Sequence, residues 1–95
     1  ENLDADDALR LGLINRVVPA AELQASTTAL AERLASGPTR AYAQMRRLMR
    51  SSFERDLPTQ LRAEGEAFLH CAQTHDLPEG INAFSARRPP QFIGA

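Results

Sequence analysis

His70, Cys71 and His75 are the one group of metal-ligand side chains that falls close together in this 95-residue sequence. On a continuous helix Cys71 and His75, four apart, share a face. A structural zinc needs four ligands, usually including two cysteine-type pairs, and this trio lacks both the number and the spacing. A Cys–His nucleophile needs an orienting third group and an oxyanion hole, and no glycine-rich turn here supplies one. The expected arrangement puts Cys71 among small residues toward the core and both histidines in solvent. Glu64 and Glu66 lie two apart on a helical stretch, so they point away from each other and read as a solvated face, not an acid–base pair. Arg46, Arg47 and Arg50 have the chemistry to meet phosphate or an acidic partner, but such a run is ordinarily a solvated helix face. The sequence assigns no catalytic residue and no metal ligand.

Phe84, with Arg87 three residues on and Arg88 beside it, is the remaining constellation. An aromatic ring and a guanidinium on one helix end can stack on a nucleobase and pair with a phosphate. The competing arrangement turns Phe84 inward and leaves the arginines to complement the helix dipole. On the residues alone both stand.

Composition narrows the classes. With 43% apolar and 24% charged residues the chain is ordinary for a globular protein, and a net charge of −1 gives no field that would gather nucleic acid or an anionic membrane. No apolar run approaches the roughly 18 residues of a membrane span, and the N-terminus has no signal-peptide character. One cysteine makes no internal disulfide, which fits a reducing, cytoplasmic setting. All eleven basic residues are arginine, a pattern expected from GC-rich codon usage, so lysine nucleophiles and Schiff bases are excluded. There is no repeat, no GxGxxG and no Walker pattern. The chain opens at Glu1 and not at Met, which reads as a processed or cut terminus.

The elements that must position these residues are helical. Asp4 is an expected N-cap, with Asp6 and Asp7 in the first turn and Gly12 as the stop. Leu13 to Val18 is β-branched and closed by Pro19, the one stretch of strand character. A lone strand makes no sheet, so it either pairs outside this chain or serves as an extended connector. Leu23, Thr27, Leu30, Ala31 and Leu34 form one face of the next helix, which ends at Ser36-Gly37. After Pro38, Ala41, Met45, Leu48, Met49 and Ser52 form another stripe. Asp56-Leu57-Pro58 restarts the chain into a long helix. That helix carries Leu61, Gly65, Phe68 and Ala72 on one line, Gly65 admitting another backbone. A short helix from Glu79 to Ala86 and an extended tail, Gln91 to Ala95, complete the chain. The expected fold is all-α, about five short, orthogonally packed helices with one isolated extended segment at residues 13–18.

The order of the motifs adds a resemblance. Ala8 to Pro19 followed by Glu22-Leu23, then Gly37-Pro-Thr-Arg-Ala41, then Asp76-Leu-Pro-Glu-Gly80, Ala83-Phe84, Arg87-Arg-Pro89 and Phe92-Ile-Gly94, together resemble the enoyl-CoA hydratase/isomerase (crotonase) superfamily across the whole chain. Within it, the Gly37-to-Ala41 motif and the Leu61-to-Ala72 helix are most similar to ring-epoxide phenylacetyl-CoA isomerases. The resemblance implies that residues 1–95 form a single C-terminal helical subdomain of a longer enzyme. An N-terminal spiral of ββα units, absent here, would carry the oxyanion-hole amides and the acid–base carboxylates. It further implies a coenzyme A thioester as substrate of the parent enzyme, no metal, and trimers or hexamers in which these helices help hold subunits together and cover the acyl pocket. Phe84 and Arg87 match the positions at which such enzymes reach the adenine end of coenzyme A. The family often has Lys where Arg87 stands, which keeps the charge but changes its geometry. Self-association of this chain, by helix exchange among other routes, is expected from its apolar stripes. The alternative reading is a free-standing helical protein-interaction module derived from the crotonase tail.

Overall fold

Asp4 starts the first helix in the manner its position implies. In the computed structural model, which describes residues 2–95, the Asp4 carboxylate accepts the Asp7 amide at 2.7 Å and caps α1, Ala5–Arg10. Glu1 lies outside the described residues. The helix ends in a Schellman arrangement: the Gly12 amide donates to Leu9 O at 3.0 Å and the Leu13 amide to Ala8 O at 2.9 Å. Gly12 reaches this at φ +74°, where a side chain would be strained.

The strand-like stretch is not a strand. Leu13 and Asn15 bend, and no ladder forms among the described residues, because β-branched composition favours extension but only a partner strand satisfies it. The segment is a connector, tied by Arg16 Nη1 donating to Ser26 Oγ at 3.2 Å. A 3-10 turn, Ala20–Glu22, leads into α2, Leu23–Ala35. Next come α3, Thr39–Ser51, a 3-10 turn at Ser52–Glu54, α4, Leu57–Ala72, and α5, Asp76–Ser85. Asp56 caps α4 by accepting the Thr59 amide at 2.9 Å, and Pro58 sits in its first turn, where its missing N–H costs nothing. The Asp56 carboxyl is held below its ordinary value, first by the Thr59 side chain and then by the Thr59 amide. α5 starts at Asp76, three residues before the expected Glu79, because Pro78 is tolerated in a first turn.

The chain divides into two compact units, Glu1–Ala31 and Glu32–Ala95, with the boundary inside α2. In the second unit α3 packs on α4 and α4 on α5. Its core is built from small groups: Ala67 and Ala83 are 4% and 1% exposed, and Gly37 is buried where a Cβ would run into the Tyr42 ring. The inward edge of α4 is Gln60, Ala63, Ala67, Cys71 and, past its end, Thr74, all buried or half-buried at helical spacing. This corrects the expected Leu61–Gly65–Phe68–Ala72 line, which faces outward. Small side chains let the helices approach, and the bulky Leu61, Phe68 and Leu69 are more than half exposed. Outside its own helix no atom of the described residues stands within 4 Å of where a Gly65 Cβ would lie, so none of them makes the close backbone approach that Gly65 admits. A mid-helix glycine costs about 1 kcal/mol relative to alanine. The stripe of α3 is divided as well, with Ala41, Leu48 and Ser52 half-buried but Met45 and Met49 exposed.

Much apolar surface is left open. Phe53, on the 3-10 turn after α3, is 99% exposed, and Leu23, Leu30 and Leu34 of α2 are all exposed. Among the described residues no helix is long and apolar enough to cross a membrane.

Candidate functional site

The start of α5 and the tail bind each other through two carboxylates. Asp76, in the first turn and 4% exposed, accepts the Ile93 amide on Oδ1 at 2.8 Å and the Gly94 amide on Oδ2 at 2.9 Å. The His75 amide donates to Ala95 O at 2.6 Å beside it. One turn on, Glu79 receives a two-pronged Arg88 guanidinium at 2.7 and 2.9 Å, and its Oε1 also accepts the Gln91 amide at 2.7 Å. Arg88 first and the Gln91 amide second hold the Glu79 carboxyl at about 2, well below 4.5, against the opposing effect of burial. Glu79 in turn raises Arg88. Gly80 takes the Phe92 ring, which would stand 3.5 Å from an added Cβ. Gly94 turns at φ +72° against the Thr39 side chain, with its carbonyl accepting Arg40 Nε at 3.3 Å.

The end of α5 sets the remaining two residues apart. The Arg87 amide donates to Phe84 O at 3.1 Å and the Arg88 amide to Ala83 O at 3.0 Å, a second Schellman arrangement. Here the left-handed position belongs to Arg87, at φ +53°, where glycine is the unstrained choice. Arg87 is exposed, and among the described residues its guanidinium has no hydrogen-bond or carboxylate partner. Phe84 is 86% exposed, so the arrangement with its ring turned inward is not the one adopted. An outward ring and an uncommitted guanidinium three residues apart can stack on a flat group and pair with an anion.

Phe84 also borders an open apolar hollow of about 360 Å³ lined by Ala41, Cys71, Leu77, Ile81 and Phe92. Cys71 thus faces this hollow, half-buried, while His70 and His75 are exposed. Among the described residues no three His, Cys, Asp or Glu side chains gather closely enough to hold a metal ion. Arg46, Arg47 and Arg50 border a shallow depression on α3, open to solvent. Sequence reasoning missed Asp76 and Glu79 as anchors. The signal was an accounting one: the tail amides at Gln91, Ile93 and Gly94 needed acceptors, and two acids in the first turn of α5 supply them.

The comparisons agree with this architecture. A sequence model described as enoyl-CoA hydratase/isomerase matches residues 1–95. A probable enoyl-CoA hydratase of Rhodobacter capsulatus is 35% identical over 94 residues, covering 99% of this chain and 37% of the relative. The 1,2-epoxyphenylacetyl-CoA isomerase of Escherichia coli is 34% identical over 92 residues, covering 97% of this chain and 35% of its own length. A solved enoyl-CoA hydratase of Geobacillus kaustophilus superposes with a TM-score of 0.91 at 33% identity, over 100% of this chain and 36% of that one. The chain therefore spans about a third of the length of the relatives it matches. Hydratase and epoxide isomerase stand at nearly equal identity, so the likeness reaches the superfamily without separating its branches. The helical order, the superposition at a TM-score of 0.91 and the family match across residues 1–95 converge: this chain belongs to the enoyl-CoA hydratase/isomerase family.

Proposed function

We propose that this chain is the C-terminal helical subdomain of a longer crotonase-type enzyme acting on a coenzyme A thioester in the cytoplasm. It carries no group for the chemical step. In the whole enzyme, backbone amides and carboxylates outside this segment hold the thioester oxygen and move protons at the neighbouring acyl carbons, without a metal. The helices described above serve assembly into trimers or hexamers and cover the acyl and coenzyme pocket. Phe84 and Arg87 meet the adenine and phosphate end of coenzyme A.

One observation carries the last assignment. In the segment from Asp76 to Gly94 the acids, Arg88, Gly80, Phe92 and Gly94 are all engaged within the chain, whereas Phe84 and Arg87 point outward. Their chemistry fits a nucleobase and a phosphate. The test is calorimetric titration with coenzyme A of the wild type, Phe84→Ala and Arg87→Gln. Each substitution should weaken binding roughly tenfold, about the worth of one stacking or charge-assisted contact. Affinities unchanged in both variants would overturn the assignment.

A further inference from the structure

Arg87 and Arg88 are adjacent, carry the same guanidinium and are held in opposite ways. Among the described residues Arg87 is the one non-glycine with a left-handed backbone, at φ +53°. A side chain is strained there, and such strain persists only where the surroundings fix the residue from both sides. On the helix side the Arg87 and Arg88 amides close the end of α5 on Phe84 O and Ala83 O, at 3.1 and 3.0 Å. On the tail side the Arg88 guanidinium runs back along α5 to half-buried Glu79, and its Nη1 also donates to Pro89 O at 3.1 Å. The same Glu79 carboxylate holds the Gln91 amide. Arg87 stands between these two fixed points. The fork has a second effect, because Arg88 engages both Glu79 oxygens with both of its terminal nitrogens. Arg88 is thereby committed within the chain, and the acid nearest to Arg87 in the helix is already taken. The pair thus decides which of two neighbouring guanidiniums is free for an anion.

We propose that Glu79 and Arg88 are positioning residues for the phosphate contact assigned to Arg87: their ion pair holds Arg87 in its left-handed place and keeps Arg88 off the ligand. Neither residue touches coenzyme A, and both act through Arg87. A guanidinium on a fixed turn gives up less freedom on binding than one on a loose turn, so the pair contributes to affinity without making a contact. The inference rests on the coenzyme A reading above and adds two residues to it.

A double-mutant cycle read by calorimetric titration with coenzyme A tests it. Glu79→Gln keeps an acceptor for the Gln91 amide but removes the charge that Arg88 pairs with. It should weaken binding roughly three- to tenfold, about the cost of ordering one long side chain, with circular dichroism at neutral pH unchanged. Arg88→Lys, a point charge in place of the fork, should move affinity in the same direction. In an Arg87→Gln background neither substitution should weaken binding further, whereas a merely structural role would subtract equally in both backgrounds. Equal losses in the two backgrounds, or unchanged or tighter binding in Glu79→Gln, overturn the positioning role and leave the coenzyme A site standing. A wild type that binds no coenzyme A, or an Arg87→Gln that binds it as well as wild type, overturns the site and the positioning with it. Should Glu79→Gln lose helix content, the Arg88→Lys cycle decides.

Discussion

Glu79 and Arg88 are joined by a two-pronged ion pair, 2.7 and 2.9 Å, that reaches from the first turn of α5 to the third residue past its end. The pair is nine residues long in sequence and parallels the helix, so it fixes where the chain goes after Arg87.

That pairing predicts an acid-sensitive step. The Glu79 carboxyl titrates at about 2 in the folded chain against 4.5 unperturbed. A carboxyl depressed by folding stabilises the native state fully above its unfolded value, and the contribution is lost as pH falls from about 4.5 toward 2. Asp56, also lowered, adds in the same direction. Urea midpoints across this range should fall for the wild type. Glu79→Gln should start less stable at neutral pH and show a flatter acid limb.

Asp76 should matter more for the tail than for the helix. Asp76→Ala leaves the Ile93 and Gly94 amides without their acceptor in a nearly closed site, a loss of about 2 kcal/mol. Asp76→Asn keeps one acceptor oxygen and should lose less. Chemical denaturation ranks the two variants, and faster hydrogen exchange at Ile93 and Gly94 in the alanine variant locates the effect.

Arg87→Gly should improve stability and impair binding together. Glycine relieves the left-handed strain by about 1 kcal/mol, worth roughly 4–8 °C in Tm for a chain of this size. The same substitution removes the guanidinium proposed to meet a coenzyme A phosphate. Thermal melts and coenzyme A titration on one sample give the two signs. A Tm that falls would mean the Arg87 side chain supports the fold after all.

Gly37→Ala should destabilise by about 1–3 kcal/mol, because its Cβ would occupy the space of the Tyr42 ring. In a Tyr42→Ala background the penalty should vanish. A double-mutant cycle read by urea denaturation measures that coupling.

The helix ends were legible in the sequence because caps are local. Asp4 caps and Gly12 stops α1 where expected, Pro38 stands one residue before α3 and not in its first turn, and the restart expected at Asp56-Leu57-Pro58 is a cap by Asp56. The buried face of α4 was not legible. Hydrophobic periodicity points to the widest apolar stripe, Leu61 to Ala72, whereas this chain packs through Ala63, Ala67 and Cys71. Which of two faces is covered depends on neighbours, and the bulky residues of α4 are more than half exposed here. Leu13 to Val18 follows the same rule: strand composition without a ladder partner leaves a connector, the second of the two arrangements expected for it. The signature around Phe84 carried the family likeness but not its physics: Asp76 and Glu79 anchor the tail over distances that no short-range pattern encodes.

The Asp76 clasp makes α5 and the tail a closed loop. Its ends are fastened at Asp76 with Ile93 and Gly94, and its middle at Glu79 with Arg88 and Gln91. Such a loop opens as one cooperative piece and not by fraying residue by residue, so the amides of α5 and of the tail should share a single opening free energy. Phe84 and Arg87 ride on that piece, and any pull that frees the tail loosens their footing in the same event.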